Sequence, residues 1–241
     1  MVFLPGLGPR ARGQELDPDR WRLSVTPYFW ASGVTGDVTV RGNRVDVDVG
    51  FNEILDAFDF GGLVHIEAQK GRWGLFVDTI YLALSTDKDL NVVNAKLELD
   101  QWIVEFAGFY RLLDQPGYQG WPMSVDVLLG GRYWNIDADL DIGPLGSNVS
   151  NDWVDPFVGL RWTGQFNKWL LAYVRGDVGG FGIYDDASKF TWNVEGGPIV
   201  KLSETFSIIL AYKALNIDRD QNKLETNLTF AGPALGLYIQ F

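Results

Sequence analysis

The amino-acid sequence predicts an all-β chain folded as an antiparallel up-and-down transmembrane β-barrel of about ten strands, with eight and twelve as the alternatives. Three observations predict it. From Trp21 onward the chain consists of long runs in which apolar and polar side chains alternate, with almost no helical periodicity. Most runs reach the roughly 9 to 11 residues that a tilted strand needs to cross a bilayer, whereas strands of soluble sandwiches are commonly about 5 or 6 residues long. Finally, the mid-strand charges gather on the face opposite the aliphatic one.

The elements follow in order. Residues 1–20 form an extension ahead of the barrel, read as the remnant of a signal. Val2-Phe3-Leu4-Pro5-Gly6-Leu7 is a short, broken apolar run, and Ala11-Arg12-Gly13 before Gln14 has the small-x-small form of a cleavage site. Residues 21–241 are the barrel domain. Its first run, Trp21 to Gly33, sets Leu23, Val25, Pro27, Phe29 and Ala31 on one face and Arg22, Ser24, Thr26, Tyr28 and Trp30 on the other. The long link 34–60 has internal order. Val38 and Val40 lead into Arg41-Gly42-Asn43-Arg44, and Val45, Val47 and Val49 then alternate with Asp46 and Asp48, as in a hairpin turning at Gly-Asn. Its arms are too short to span a bilayer, so it stands above the membrane and outside the strand count. Phe51, Ile54, Leu55 and Phe58 have the spacing of a short amphipathic helix, which either folds over the barrel mouth or caps the loop.

The remaining runs are 61–70, 73–85, 95–111, 123–138, 153–165, 168–182, 189–202, 206–217 and 224–241. Tight turns (Lys70-Gly71-Arg72, Phe166-Asn167-Lys168, Leu202-Ser203-Glu204-Thr205) alternate with longer polar links at 86–94, 139–152, 184–188 and 218–223. The link 111–121 is the one longer connection on the tight-turn side.

Composition bounds the function. Hydrophobic residues make up 46% of the 241, aromatics 14% with ten Trp, yet the mean hydropathy is near zero. No stretch approaches the roughly 18 to 20 apolar residues of a membrane-spanning helix, so a crossing would have to be made by strands. A formal charge of −11 excludes nucleic acid as a partner, because phosphate binding needs a basic face. The excess acid falls in predicted loops, where like charge keeps them solvated. The chain has no cysteine, which fits passage through an oxidising compartment without disulfides.

Alternation sorts the charges. His65, Glu67, Asp78, Glu105, Asp126, Arg132, Asp155, Arg161, Arg175, Asp177, Glu195, Lys201 and Lys213 share the polar face, with acids and bases near balance. A charge on a lipid-facing position near the midplane costs about 2–4 kcal/mol. Enclosed charges are tolerable when paired and hydrogen-bonded. The pattern therefore suits a barrel turned inside out relative to a soluble one, with a narrow charged lumen. Trp21, Trp73, Tyr81, Trp102, Tyr110, Trp121, Trp134, Trp153, Trp169 and Trp192 lie near run ends, where two aromatic girdles would sit.

The final run, Phe230-Ala231-Gly232-Pro233-Ala234-Leu235-Gly236-Leu237-Tyr238-Ile239-Gln240-Phe241, is apolar at Leu235, Leu237 and Ile239 and small or polar between. Together with the short-turn and long-loop asymmetry and the aromatic ends, it resembles small bacterial outer-membrane β-barrels of the OmpA, OmpX and OmpW kind, or more generally a porin-like or opacity-type family; no motif selects a subfamily. The resemblance implies a bacterial outer-membrane location with short turns periplasmic, and a monomer among lipid and lipopolysaccharide. It also implies an assembly machinery that reads Tyr238 and Phe241 in the last strand. The implied role is structural, or the passage or binding of small solutes.

Two other functions are open to these residues. His65 beside Glu67, with Ser24 or Ser124 in the lumen, would serve an outer-membrane hydrolase or acyltransferase; its depth, about five residues above the turn at Gly71, favours a lumen role and a non-enzyme. A soluble lipocalin-like barrel that binds an apolar ligand is the other alternative. Asp137-x-Asp139-x-Asp141-x-Gly143 supplies oxygen ligands, but a calcium loop needs Gly and Glu where Ile142 and Asn148 stand. With one His and no Cys, neither a zinc site nor a cofactor is expected.

Overall fold

The computed structural model describes residues 20–40, 43–56, 58–90, 93–142, 145–221 and 224–241. The expected extension at residues 1–20 lies outside them except for Arg20. Period-two alternation produces strands β1 (Arg22–Trp30), β2 (Gly33–Val40), β3 (Asn43–Val49), β4 (Phe58–Lys70), β5 (Trp73–Leu90), β6 (Val93–Pro116), β7 (Pro122–Ile142), β8 (Leu145–Gln165), β9 (Leu170–Gly180), β10 (Phe190–Lys201), β11 (Phe206–Gln221) and β12 (Leu224–Gln240), with one helix, α1 (Phe51–Asp56). β1 and β4 to β12 pair antiparallel with their neighbours in that order, and β12 returns to β1, closing a barrel of ten strands.

The hairpin β2–β3 stands outside that ring, yet it does not simply hang in a loop. β12 pairs its lower half with β1, Trp30 opposite Ala234, and its upper half with β2, Gly33 opposite Ala231. β2 thus continues the line of β1 after a break at Ala31 and Ser32. The break needs glycine opposite it: a Cβ on Gly232 would lie 1.9 Å from the Ala31 carbonyl oxygen. Val40 pairs with Asn43, so Asn43 of the expected Gly-Asn turn belongs to β3, and residues 41 and 42 lie outside the described residues.

Helix α1 forms where expected, its first turn closed by the Gly50 N–H donating to the Glu53 carboxylate at 2.9 Å. Phe51 packs edge-on against Phe29, an outward residue of β1, with centroids 5.8 Å apart. The helix therefore sits against the outer wall and not over the mouth. The Phe58 side chain lies outside the described residues.

Three expected loops are in fact strand. Pairing runs on to Leu90 opposite Val93, Ile142 opposite Leu145, and Gln221 opposite Leu224. Clear of a bilayer both faces of a strand meet water, the alternation fades, and the sequence signal disappears while the hydrogen-bond ladder continues. β9 and β10 are joined by a genuine loop at residues 181–189, and at its start Gly180, the last residue of β9, Phe181 and Gly182 all adopt left-handed φ (81°, 62° and 55°). At the other end the connections are tight, and β6 to β7 passes through one 3-10 turn at Tyr118–Gly120.

The faces are inverted relative to a water-soluble barrel. Leu129 (70% exposed), Leu160 (56%) and Val174 (52%) point outward, while Arg132, Arg161 and Arg175 are at most 1% exposed inside. A soluble apolar-ligand barrel would show the reverse. Outward cross-strand pairs Trp73–Tyr110 and Tyr81–Trp102 pack with tilted rings, their centroids 4.7 and 4.5 Å apart. Their levels along β5 are separated by roughly 20 Å, taking ~3.3 Å per residue and a tilt of ~40°. Trp134 and Trp153, expected in the girdles, instead turn inward and stack on each other with centroids 5.8 Å apart.

Candidate functional site

The inward face builds a charged core between two apolar layers. Near the long-loop end, Trp30, Ile80, Ile103, Trp134, Trp153, Leu215 and Ile217 form a buried aromatic plug. Toward the tight turns, Leu171, Tyr173, Ile199, Ile209 and Tyr238 pack along the wall made by β9 to β12. Between them, Phe76, Ala107, Phe109, Leu128 and Phe157 flank the ion pairs.

One set of charges crosses the lumen. Arg161 on β8 donates to both oxygens of Glu67 on β4 (2.7 and 3.1 Å) and, from Nε and Nη2, to Asp126 on β7 (3.1 and 2.9 Å). Arg111 on β6 donates to the other Asp126 oxygen at 2.8 Å. His65 is held between two carboxylates, Nδ1 at 3.0 Å from Asp78 and Nε2 at 3.3 Å from Glu67. Tyr28 donates to Asp78 at 2.7 Å. Bidentate guanidinium–carboxylate pairs fix geometry as well as charge, so β4, β7 and β8 are braced across the interior.

The second set is a closed ring. Arg132 gives Nε to Glu105 (2.9 Å), Nη1 to Thr191 (2.7 Å) and Nη2 to Asp177 (2.7 Å). Arg175 Nη2 meets Glu105 at 2.7 Å and Asp177 at 2.8 Å, and Asn193 donates to Asp177 at 3.0 Å. Phenylalanine rings cover the cations: Arg161 lies 4.5 Å from the Phe109 centroid, and Arg175 lies 4.9 Å from that of Phe76. The ring face attracts a cation, so the lumen holds its charges in an otherwise apolar shell.

Not every residue on the polar face joins these sets. Lys213 lies 3.7 Å from Glu195, with its ammonium 5.6 Å from the Trp30 ring. Asp155 forms no ion pair among the described residues; it accepts from the Ser188 N–H (2.8 Å), the Ser188 hydroxyl (2.7 Å) and Trp153 Nε1 (3.1 Å), tying the β9–β10 loop to β8. Lys201 sits half-buried at the tight-turn rim opposite Ser207. Sequence reasoning misses Arg111, which falls at the end of the run 95–111 although it continues the parity of Glu105. It also misses the three phenylalanines, at the parity of the charges they cover, and Arg219, whose guanidinium stacks 3.7 Å over Trp153 and donates to the Asp186 carbonyl.

Outside the barrel wall, Lys189 pairs with Asp220 at 3.1 Å, and that hydrogen bond raises the lysine's pKa above its usual value.

Among the described residues no nucleophile is brought to His65. Both His65 nitrogens are engaged by carboxylates, and no hydroxyl bonds to the ring among the described residues. Asp137 lies in β7, in extended backbone; the side chains of Asp139 and Asp141 fall outside the described residues. Among the described residues no group of three or more His, Asp or Glu side chains is placed to hold a metal.

No protein-family model matches the chain, and no curated protein matches it. Among solved structures, the chain is similar to Ail, the attachment invasion locus protein of Yersinia pestis, at 10% identity over 92% of this chain and 99% of that one, with a TM-score of 0.42. The translocator domain of the autotransporter NalP from Neisseria meningitidis is also similar, at 10% identity, 92% and 88% coverage and a TM-score of 0.45. Neisserial surface protein A stands at 12% identity, 92% and 97% coverage and a TM-score of 0.32. The closed barrel itself rests on the unbroken strand order and the β12–β1 ladder.

Proposed function

We propose that this chain is a bacterial outer-membrane β-barrel protein whose lumen is held shut by its own side chains, acting as a structural barrel or as a gated passage or binding site for small solutes. The apolar outer face supports the membrane setting, as do aromatic pairs at two levels and tight connections at one end against tall hairpins at the other. The tall end faces outward from the cell and the tight turns face the periplasm. In this reading the barrel is a monomer surrounded by lipid and lipopolysaccharide, and the assembly machinery engages β12 through Tyr238 and Phe241.

The observation that carries the closed state is the Glu67–Arg161 bridge, which joins opposite walls while both side chains remain at most 1% exposed. With the aromatic plug above it, that bridge stands across the lumen, so in this reading conduction requires these side chains to part. Planar-bilayer recording tests this. Wild-type protein should give no steady open current, whereas the variant Glu67→Gln/Arg161→Gln should give measurable openings. A steady ohmic current from the wild type would end the closed-lumen reading. Detergent-extracted protein should also migrate faster on a gel before heating than after, as a closed membrane barrel does.

A further inference from the structure

At the level of the Glu67–Arg161 bridge and on its tight-turn side, the lumen carries polar groups without partners. Ser24 and Thr26 on β1, Gln69 on β4, Ser124 on β7 and Thr163 on β8 all turn inward and are buried. The four hydroxyls and the Gln69 carbonyl oxygen make no hydrogen bond among the described residues. Their positions are not scattered. Ser24 and Thr26 stand opposite Glu67 and His65 in the β1–β4 ladder, and Ser124 stands opposite Thr163 in the β7–β8 ladder. β4 and β8 are far apart around the ring, yet Glu67 and Arg161 reach each other directly. The two groups of hydroxyls therefore belong to opposing walls joined by that bridge.

Buried polar atoms in folded proteins are nearly always hydrogen-bonded, and each hydroxyl carries one donor and two acceptor sites. Unpaired groups on facing walls are the setting in which buried water finds its usual three or so partners. The remaining wall at this level, from β9 to β12, is mainly apolar apart from Ser207, Tyr173 and Tyr238, so most partners for such water lie on β1, β4, β7 and β8. Above the bridge the aromatic plug seals the other end. Below, the rim is polar: Gln69 and Gln165 are tethered to the turn carbonyls of Gly71 and Asn167 at 2.9 and 2.7 Å.

We infer that the periplasmic half of the lumen is a hydrated half-channel, lined by Ser24, Gln69, Ser124 and Thr163, which takes up water as far as the Glu67–Arg161 bridge and no further. The inference rests on the closed-lumen reading and adds the side from which solvent reaches the charged core. It gives that core contact with the periplasm alone.

The absence of native cysteine allows a direct test. Ser124→Cys and Thr163→Cys are made singly, with Ile217→Cys in the plug, and each folded barrel is verified by heat-modifiable migration. Asn167→Cys at a tight turn and Asp185→Cys in the long loop report orientation in proteoliposomes. Silver ion, a water-sized thiol reagent that does not cross bilayers, is presented on one side or the other, and unreacted thiol is counted after unfolding. Ser124→Cys and Thr163→Cys should react at least about tenfold faster from the side that modifies Asn167→Cys, while Ile217→Cys, an enclosed thiol, stays inert from both. Reaction from neither side would overturn the half-channel and leave the closed lumen standing. Reaction from the Asp185→Cys side would overturn both.

Discussion

Replacing Arg132 by Met, which keeps the length of the side chain and removes its charge, measures how dry the charged core is. Arg132 gives three hydrogen bonds, to Glu105, Thr191 and Asp177. Breaking a buried ion pair by removing one partner costs about 3–5 kcal/mol. Here Glu105 keeps Arg175, and Asp177 keeps Arg175 and Asn193, so the lower part of that range applies. The abandoned Thr191 hydroxyl adds about 1 kcal/mol, for a total near 4 kcal/mol. With a urea dependence of about 2.5 kcal/mol per molar, the unfolding midpoint should fall by roughly 1.5 M. The assay is the fraction of fast-migrating folded band on unheated gels after equilibration in urea with detergent or vesicles. Adding Asp177→Asn should return about half the loss, because the excess negative charge is removed and Glu105 and Arg175 then balance. The exposed pair serves as control: Lys189→Met should leave the midpoint where it was. A loss under about 1 kcal/mol for Arg132→Met, the value of a solvent-exposed pair, would refute a sealed core.

Other outcomes follow from single contacts. Leu160→Arg places a charge on the outward face and should cost about 2–4 kcal/mol in the same gel assay; a neutral result would mean that this face meets water. Gly232→Val forces a side chain into the Ala31 carbonyl and should sharply lower the yield of folded barrel on refolding, while the wild type refolds under the same conditions. Phe181→Gly relieves a left-handed residue and should raise stability by about 1 kcal/mol; a decrease would show that the ring contributes more than the strain costs. Asp155→Ala removes the acceptor of both Ser188 bonds, so residues 181–189 should become cleavable by protease at a rate the wild type does not show.

Much of the barrel was legible because a bilayer imposes a strict period of two on the strands that cross it. The parity of Asp155, Arg161 and Arg175 against Leu160 and Val174 was readable, and so was the exclusion of β2 and β3 from the barrel ring. Beyond the apolar band that constraint lapses, which is why the upper parts of β5 to β8 and of β11 and β12 looked like loops. Alternation also gives a face without giving a neighbour. It placed Asp155 among the charges but could not show that the residue serves a loop backbone instead of Arg132, its cross-strand opposite. Trp134 and Trp153 misled for a related reason: an aromatic ring near a strand end suits a headgroup zone or a plug equally well, and only parity with Arg132 and Asp155 separates the two. The pairing of Phe29 with Phe51 depends on where a loop returns, and no local pattern records that.

The wall is uneven in height. β5 and β6 remain paired as far as Leu90 and Val93, while β9 and β10 stop at Gly180 and Phe190. From Tyr81 to Leu90 the climb is roughly 20 Å at ~3.3 Å per residue and ~40° of tilt. One flank thus forms a parapet well clear of the lipid headgroups, and the opposite flank stays close to them. In the outer-membrane reading proposed above, a body as broad as an antibody fragment would touch the parapet first and meet residues 181–189 only at a slant, so a tag grafted on the high side should be seen on intact cells where the same tag on the low side is screened by surrounding sugar chains.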